Sequence, residues 1–145
     1  MDWKKEATDK LKDYDAKKKA LECIPLERER IRCVMESIRS ADTDGAPVKG
    51  STTRREDRLL GCIVKLEELE RVEMQTKAWV ELVNLGLGVL DPEERLVLDR
   101  MVICPLQGNL DRLCDELGME RATVYRRRDN ALRKFTLALY GGMES

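Results

Sequence analysis

Residues 109 to 135, NLDRLCDELGMERATVYRRRDNALRKF, place two apolar stripes at helical spacing on either side of one glycine, and few folds accept that arrangement. Leu110, Leu113 and Leu117 form the first stripe; Val124, Ala131, Leu132 and Phe135, continued by Leu139, form the second. Gly118 lies between them, and a tight interhelical turn calls for a residue without a Cβ, which tolerates positive φ. The spacing predicts two amphipathic helices packed across a glycine turn.

The second of these helices carries the charge. Between residues 121 and 134 stand six basic side chains, Arg121, Arg126, Arg127, Arg128, Arg133 and Lys134, against the single acid Asp129, a net of +5. The whole chain has 27 Lys and Arg against 28 Asp and Glu, and residues 1 to 90 hold 18 of each sign, so long-range attraction to phosphate has to come from the last helix. Phosphate contacts give affinity without sequence information, while side chains at the front of a recognition helix reach base edges. An arginine-rich helix that only complements its dipole in solvent is the alternative. The turn glycine and both apolar stripes favour double-stranded DNA as the partner.

Composition narrows the rest. The 145 residues are 42% hydrophobic, 38% charged and 4% aromatic, which suits long amphipathic helices with solvated outer faces more than one large core. No apolar run spans a bilayer, and the start MDWKKEATDK lacks the apolar core of a signal peptide, so a cytoplasmic protein with no membrane partner is expected. The five cysteines, at 23, 33, 62, 104 and 114, form no CxxC pair, and the chain has no histidine, which argues against a metal site. Cys114, four residues before Gly118, reads as a small packing residue. No serine, cysteine or paired carboxylate sits in a nucleophile or acid–base motif. Neither catalytic residues nor a cofactor is expected.

Along the chain, Ala7, Tyr14, Leu21 and Met35, interleaved with Ile24, Ile31 and Ile38, form a heptad seam from Trp3 to about Ser40, with Lys10, Lys17 and Arg28 also at seam positions. Pro25 predicts a kink or short break. Residues 41 to 54 read as a loop, and a second amphipathic segment runs from about Glu56 to Val83, expected to fold back antiparallel or to pair between chains. Asn84, Gly86 and Gly88 loosen the chain before LDPEER at 90 to 95, where Asp91, Pro92 and Glu94 have the spacing of a capping box. That helix is expected to reach about Met101, Asn109 to cap the next one, and Gly141 and Gly142 to end the last.

The order LDPEERLVLDRM, a short loop, then LDRLCDELGMERATVYRRRDNALRKF resembles the fourth region of bacterial sigma-70-type transcription factors over about 50 residues, Leu90 to Leu139. The layout, a charged helical first half and a Gly-containing loop ahead of that module, is similar to phage and prophage late-gene regulators of the ArpU and RinA type. The resemblance implies promoter binding and regulation of phage transcription in contact with host RNA polymerase. It puts Arg121, Ala122, Tyr125 and Arg126 at the front of the DNA-binding helix, with Thr123 also expected at the DNA; Arg126, which can bond a guanine edge in bidentate fashion, is the best candidate for a base contact, and Arg127, Arg128, Arg133 and Lys134 are expected on phosphates. Glu120 departs from the family's Ser or Thr cap, and Arg128 stands at a normally apolar position.

The expectation is therefore an all-α, non-enzymatic protein. A long, coiled-coil-like antiparallel helical hairpin over residues 1–88 serves interaction or oligomerisation, and a small C-terminal helix-turn-helix over 89–145 binds DNA to regulate transcription. A homodimer through the hairpin is expected from apolar positions in excess of one helix pairing, among them Trp3, Tyr14, Trp79, Ile24, Ile31 and Ile38. The alternative is a phage assembly or DNA-packaging protein resembling a small terminase subunit, which joins a DNA-binding helix pair to an oligomerising hairpin.

Overall fold

The computed structural model describes residues 2–41 and 51–141, and among them every regular element is helical, with no strand. The elements are α1 (Trp3–Ser40), α2 (Ser51–Leu87), α3 (Pro92–Leu98), a π-helical turn (Asp99–Ile103), α4 (Asn109–Leu117) and α5 (Arg121–Tyr140). The chain is all-α, and its first two helices form an antiparallel hairpin. Residues 42–50 of the expected loop lie outside the described residues, and Ser51 to Arg54 belong to α2, which starts earlier than expected.

The chain divides into two compact units, residues 1–18 with 78–145, and residues 19–77. In the unit of residues 19–77, α1 contributes buried Ile24, Ile31, Met35 and Ile38. From α2, Leu59, Cys62, Leu66, Leu69, Glu73 and Thr76 recur at steps of three and four and are at least half-buried. Arg28, a charge inside the seam, is held by Glu73 at 3.0 Å. Pro25 does not break α1, which runs through it without interruption. The ring is exposed while Ile24 beside it is buried, so the lost backbone bond falls on the solvent face and packing on the other face holds the helix.

In the second unit, Ala7, Leu11 and Tyr14 of α1 and Val80, Val83 and Leu87 of α2 are buried, and Leu11, not Lys10, takes the seam position. Lys10 instead lies over the Tyr140 ring and donates to its hydroxyl, Lys17 lies over Trp79, and the Tyr14 hydroxyl bonds the Asn84 side chain. The apolar residues expected to be in excess are thus largely used inside the chain: Tyr14, Ile24, Ile31 and Ile38 are all buried. α2 also runs past Val83 to Leu87, because Gly86 is a contact and not a break. A Cβ there would lie 2.8 Å from the Phe135 ring and 3.0 Å from Leu139, so the missing side chain admits α5. That close approach is why residues 78–87 belong with the C-terminal elements.

Asp91 caps α3 as its sequence predicts. Its carboxylate accepts from the Glu94 N–H at 2.7 Å, and Glu94 accepts from the Asp91 N–H at 3.1 Å. α3 ends at Leu98, where the π-helical turn takes over. Asn109 is not the cap of α4 but its first residue; Gly108, at φ 84°, occupies the cap. The buried Asn109 amide donates to the carbonyls of Arg100 and Cys104, at 2.8 and 3.3 Å, and so satisfies acceptors that the π-helical turn exposes. α3 and α4 both pack on α5, with Val97, Leu113 and Val124 at the fully buried centre. Leu110, Cys114, Leu117 and Met119 close around them, which gives Cys114 the packing role expected of it.

Candidate nucleic-acid interface

The front of α5 is set by the turn before it. Gly118 has φ 63° and its N–H bonds the Cys114 carbonyl, which ends α4 and redirects the chain within three residues. Glu120 then opens α5 in extended conformation, without a side-chain hydrogen bond to the first turn. The serine or threonine cap that the sigma-like pattern carries has no substitute here.

Val124 buries one side of the first turns of α5. The opposite side exposes Arg121, Ala122, Tyr125 and Arg126, with Thr123 half-buried at the edge. Tyr125 is 41% exposed and lies under the Arg128 guanidinium, 5.0 Å from the ring centre, which accommodates a charge at a position the resemblance makes apolar.

The six cations of α5 are not equivalent. Arg121 pairs with Asp111 at 2.6 Å, Arg127 with Glu93 at 2.9 Å and Lys134 with Glu94 at 2.9 Å. Arg128 pairs with Asp129 at 3.2 Å, and the same carboxyl takes Lys4 at 2.9 Å. Arg133 makes no ion pair among the described residues and lies over the Trp3 ring at 5.8 Å. Arg126 also lacks an ion pair among the described residues; its Nε meets only the Ala122 carbonyl, at 3.5 Å. The local +5 of the sequence is therefore met by Asp111, Glu93 and Glu94 from the two helices packed on α5.

These pairs differ in cost. Both partners of Arg121–Asp111 are about two-thirds exposed, and exposed pairs are worth about 0–1 kcal/mol, so an incoming phosphate can replace the aspartate. Lys134 pairs with a Glu94 side chain that is only 5% exposed, and the same carboxylate closes the α3 capping box. Removing that lysine strands a buried acid. Burial raises the Asp129 carboxyl, but hydrogen bonds from Lys4 and Arg128 outweigh it and hold the group below the usual carboxylate value.

Trp3, Lys4, Glu93, Glu94 and Asp111 are the residues at this surface that sequence reasoning did not assign to it. The glutamates were visible as a capping signal, but their second role depends on α3 lying along α5. Trp3 and Lys4 are more than 120 positions away from the residues they touch, and no periodicity reports such a contact.

The opposite end of α4 borders a cavity of about 500 Å³ lined by Tyr14, Asp15, Arg95, Asp99, Arg100 and Arg112 among others. Two of its four cations are committed, Arg95 to Asp99 and Arg100 to Glu116. Cys104 on its wall donates to Asp15, and this bond, with burial and the nearby carboxylate charges, raises the thiol above its ordinary value and keeps it protonated. No group of three or more His, Cys, Asp or Glu side chains placed to hold a metal ion occurs among the described residues, and no described helix is long and apolar enough to cross a membrane. Comparison with protein families, with curated proteins and with solved structures finds no match to this chain.

Proposed function

We propose that this protein is a sequence-specific double-stranded DNA-binding regulator of transcription that presents the front of α5 to the major groove. One observation carries the reading. The Gly118 turn and the buried Val124 leave Ala122, Tyr125 and Arg126 exposed together at the start of a helix, and Arg126 has no competing carboxylate among the described residues. A guanidinium so placed can donate two parallel bonds to a guanine edge. Arg121, Thr123, Arg128 and Arg133 flank it and supply phosphate contacts. Arg127 and Lys134, engaged by Glu93 and Glu94, hold α3 on α5 in this reading instead of reaching the DNA backbone.

The resemblance to sigma region 4 and to the ArpU and RinA regulators extends the proposal to a phage or prophage protein acting in the cytoplasm on promoters with host RNA polymerase. The function is one of binding, with no chemical step. Its test is equilibrium binding of the full chain to duplex DNA over a range of salt. The logarithm of the affinity is expected to fall linearly with the logarithm of the salt concentration, by about 0.9 for each phosphate neutralised. A flat dependence contradicts the proposal.

A further inference from the structure

The outer face of α2 carries a pattern that the DNA reading leaves unused. In the unit of residues 19–77, the positions of α2 at the hairpin seam are at least half-buried. Rotated away from that seam is a second stripe, Leu60, Val64, Glu67, Arg71 and Met74, at steps of four, three, four and three, which is the spacing of one helix face. Leu60, Val64 and Met74 are 59%, 55% and 68% exposed. Glu67 and Arg71 between them are exposed, and neither makes an ion pair among the described residues.

Read along the helix, the stripe is apolar, acidic, basic, apolar. That order is self-complementary about a two-fold axis passing between Glu67 and Arg71. If a second copy of α2 lies antiparallel across the stripe, Glu67 faces the partner's Arg71, Arg71 faces the partner's Glu67, and Val64 faces the partner's Met74. Isologous contacts of this kind are the commonest route to a closed dimer. A parallel pairing would put like charges opposite each other twice, so the charge order selects the antiparallel one. Shallow relief beside Arg71 and Met74, bounded by Glu67, Glu70 and Gln75, gives the partner's Val64 a seat.

We propose that the chain dimerises through this face, with the occupant a second copy of the same helix in antiparallel register. The interface uses residues other than the buried seam and is independent of the DNA reading. A two-fold dimer presents two copies of α5, so the two proposals are compatible, but neither requires the other.

The test is the mass of the full chain in solution, by sedimentation equilibrium without DNA. The wild type is expected at twice the chain mass. Arg71→Glu is expected to give a monomer, because four carboxylates then meet at the axis; Glu67→Arg is expected to do the same with four guanidinium groups. Both positions are exposed, and unchanged helical circular dichroism shows that the variants are folded. The decisive arm is an equimolar mixture of the two single variants, each monomeric by itself. In the mixed pair every acid faces a base, so the dimer mass is expected to return; the double variant Glu67→Arg/Arg71→Glu is expected to dimerise unaided. A monomeric wild type, a ring-sized mass, a dimer indifferent to Arg71→Glu, or a mixture that stays monomeric overturns the proposal. Because no DNA is present, failure of DNA binding leaves this outcome unchanged.

Discussion

At Arg126 and Arg133 the chain leaves two guanidinium groups without ion pairs among the described residues, and the proposed function gives them different roles. Arg126 stands in the second turn of α5 beside Ala122 and Tyr125, the position that the proposal gives to a base edge; Arg133 lies two turns further on, over Trp3. Arg126→Ala is expected to cost about 1–3 kcal/mol at the preferred site and to relax one base position, whereas Arg133→Ala is expected to weaken all sequences about equally. Fluorescence anisotropy with the preferred and a scrambled duplex separates these outcomes; equal losses on both duplexes for Arg126→Ala make it a phosphate contact. Asp129 ties Lys4 to Arg128, and its carboxyl is held low in the folded state, so its contribution is complete above the unfolded value of about 3.9 and is lost as pH falls through the folded one. Asp129→Asn is accordingly expected to lower the thermal midpoint near neutrality and to flatten its decline below about pH 4. An unchanged midpoint at neutral pH would remove Asp129 from the forces that hold α1 on α5. At this scale the exposed front of α5 was legible, because Val124 fixes its phase through the apolar stripe. The partners of its cations were not, since Trp3, Lys4 and Glu93 reach them only through the tertiary fold.

Among the elements, α5 depends on a few close contacts. Val124 is fully buried against Val97 and Leu113, and an unpaired buried carboxylate costs on the order of several kcal/mol, a large share of the 5–15 kcal/mol that a typical domain has. Val124→Asp is expected to melt the packing of α3 to α5 and to abolish DNA binding, as seen in circular dichroism; full helicity with intact binding would contradict the packing described. The two glycines of α2 make a paired test. Gly61 is exposed with nothing within 4 Å of an added Cβ, so Gly61→Ala is expected to stabilise by about 0.4–1 kcal/mol. Gly86→Ala drives a methyl into Phe135, and overpacking of this kind costs about 1–3 kcal/mol, more than the roughly 1 kcal/mol gained in helix propensity. Opposite shifts in the denaturation midpoint are expected; stabilisation by both substitutions would mean that α5 does not sit on α2. Helix existence was legible throughout from apolar spacing, and the Asp91–Glu94 box was legible to the residue. The continuity of α1 through Pro25, the helical state of Gly86 and the π-helical turn were not, because each is decided by which face packs and not by local preference.

For the molecule as a whole, residues 91–145 hold 9 basic and 10 acidic side chains, so the C-terminal part has no net positive field despite the arginines of α5. The proposed function therefore predicts weak non-specific attraction to DNA and binding that rests on fitted contacts at the front of α5. The antiparallel hairpin was legible, but the contacts between its ends and the C-terminal helices were not. Its first 18 residues and residues 78–87 share a unit with the C-terminal helices, through contacts such as Gly86 with Phe135 and Lys4 with Asp129. Binding studies therefore call for the full chain, since a fragment starting near residue 89 would lack part of that unit. The most direct measurement of the central claim is selection of bound duplexes from a random pool by the full-length protein at moderate salt. A recurring sequence motif is expected to be enriched, with at least one guanine position lost when the selection is repeated with Arg126→Ala. A pool that remains random with the wild-type protein at every salt concentration would contradict the assignment of α5 as a sequence reader.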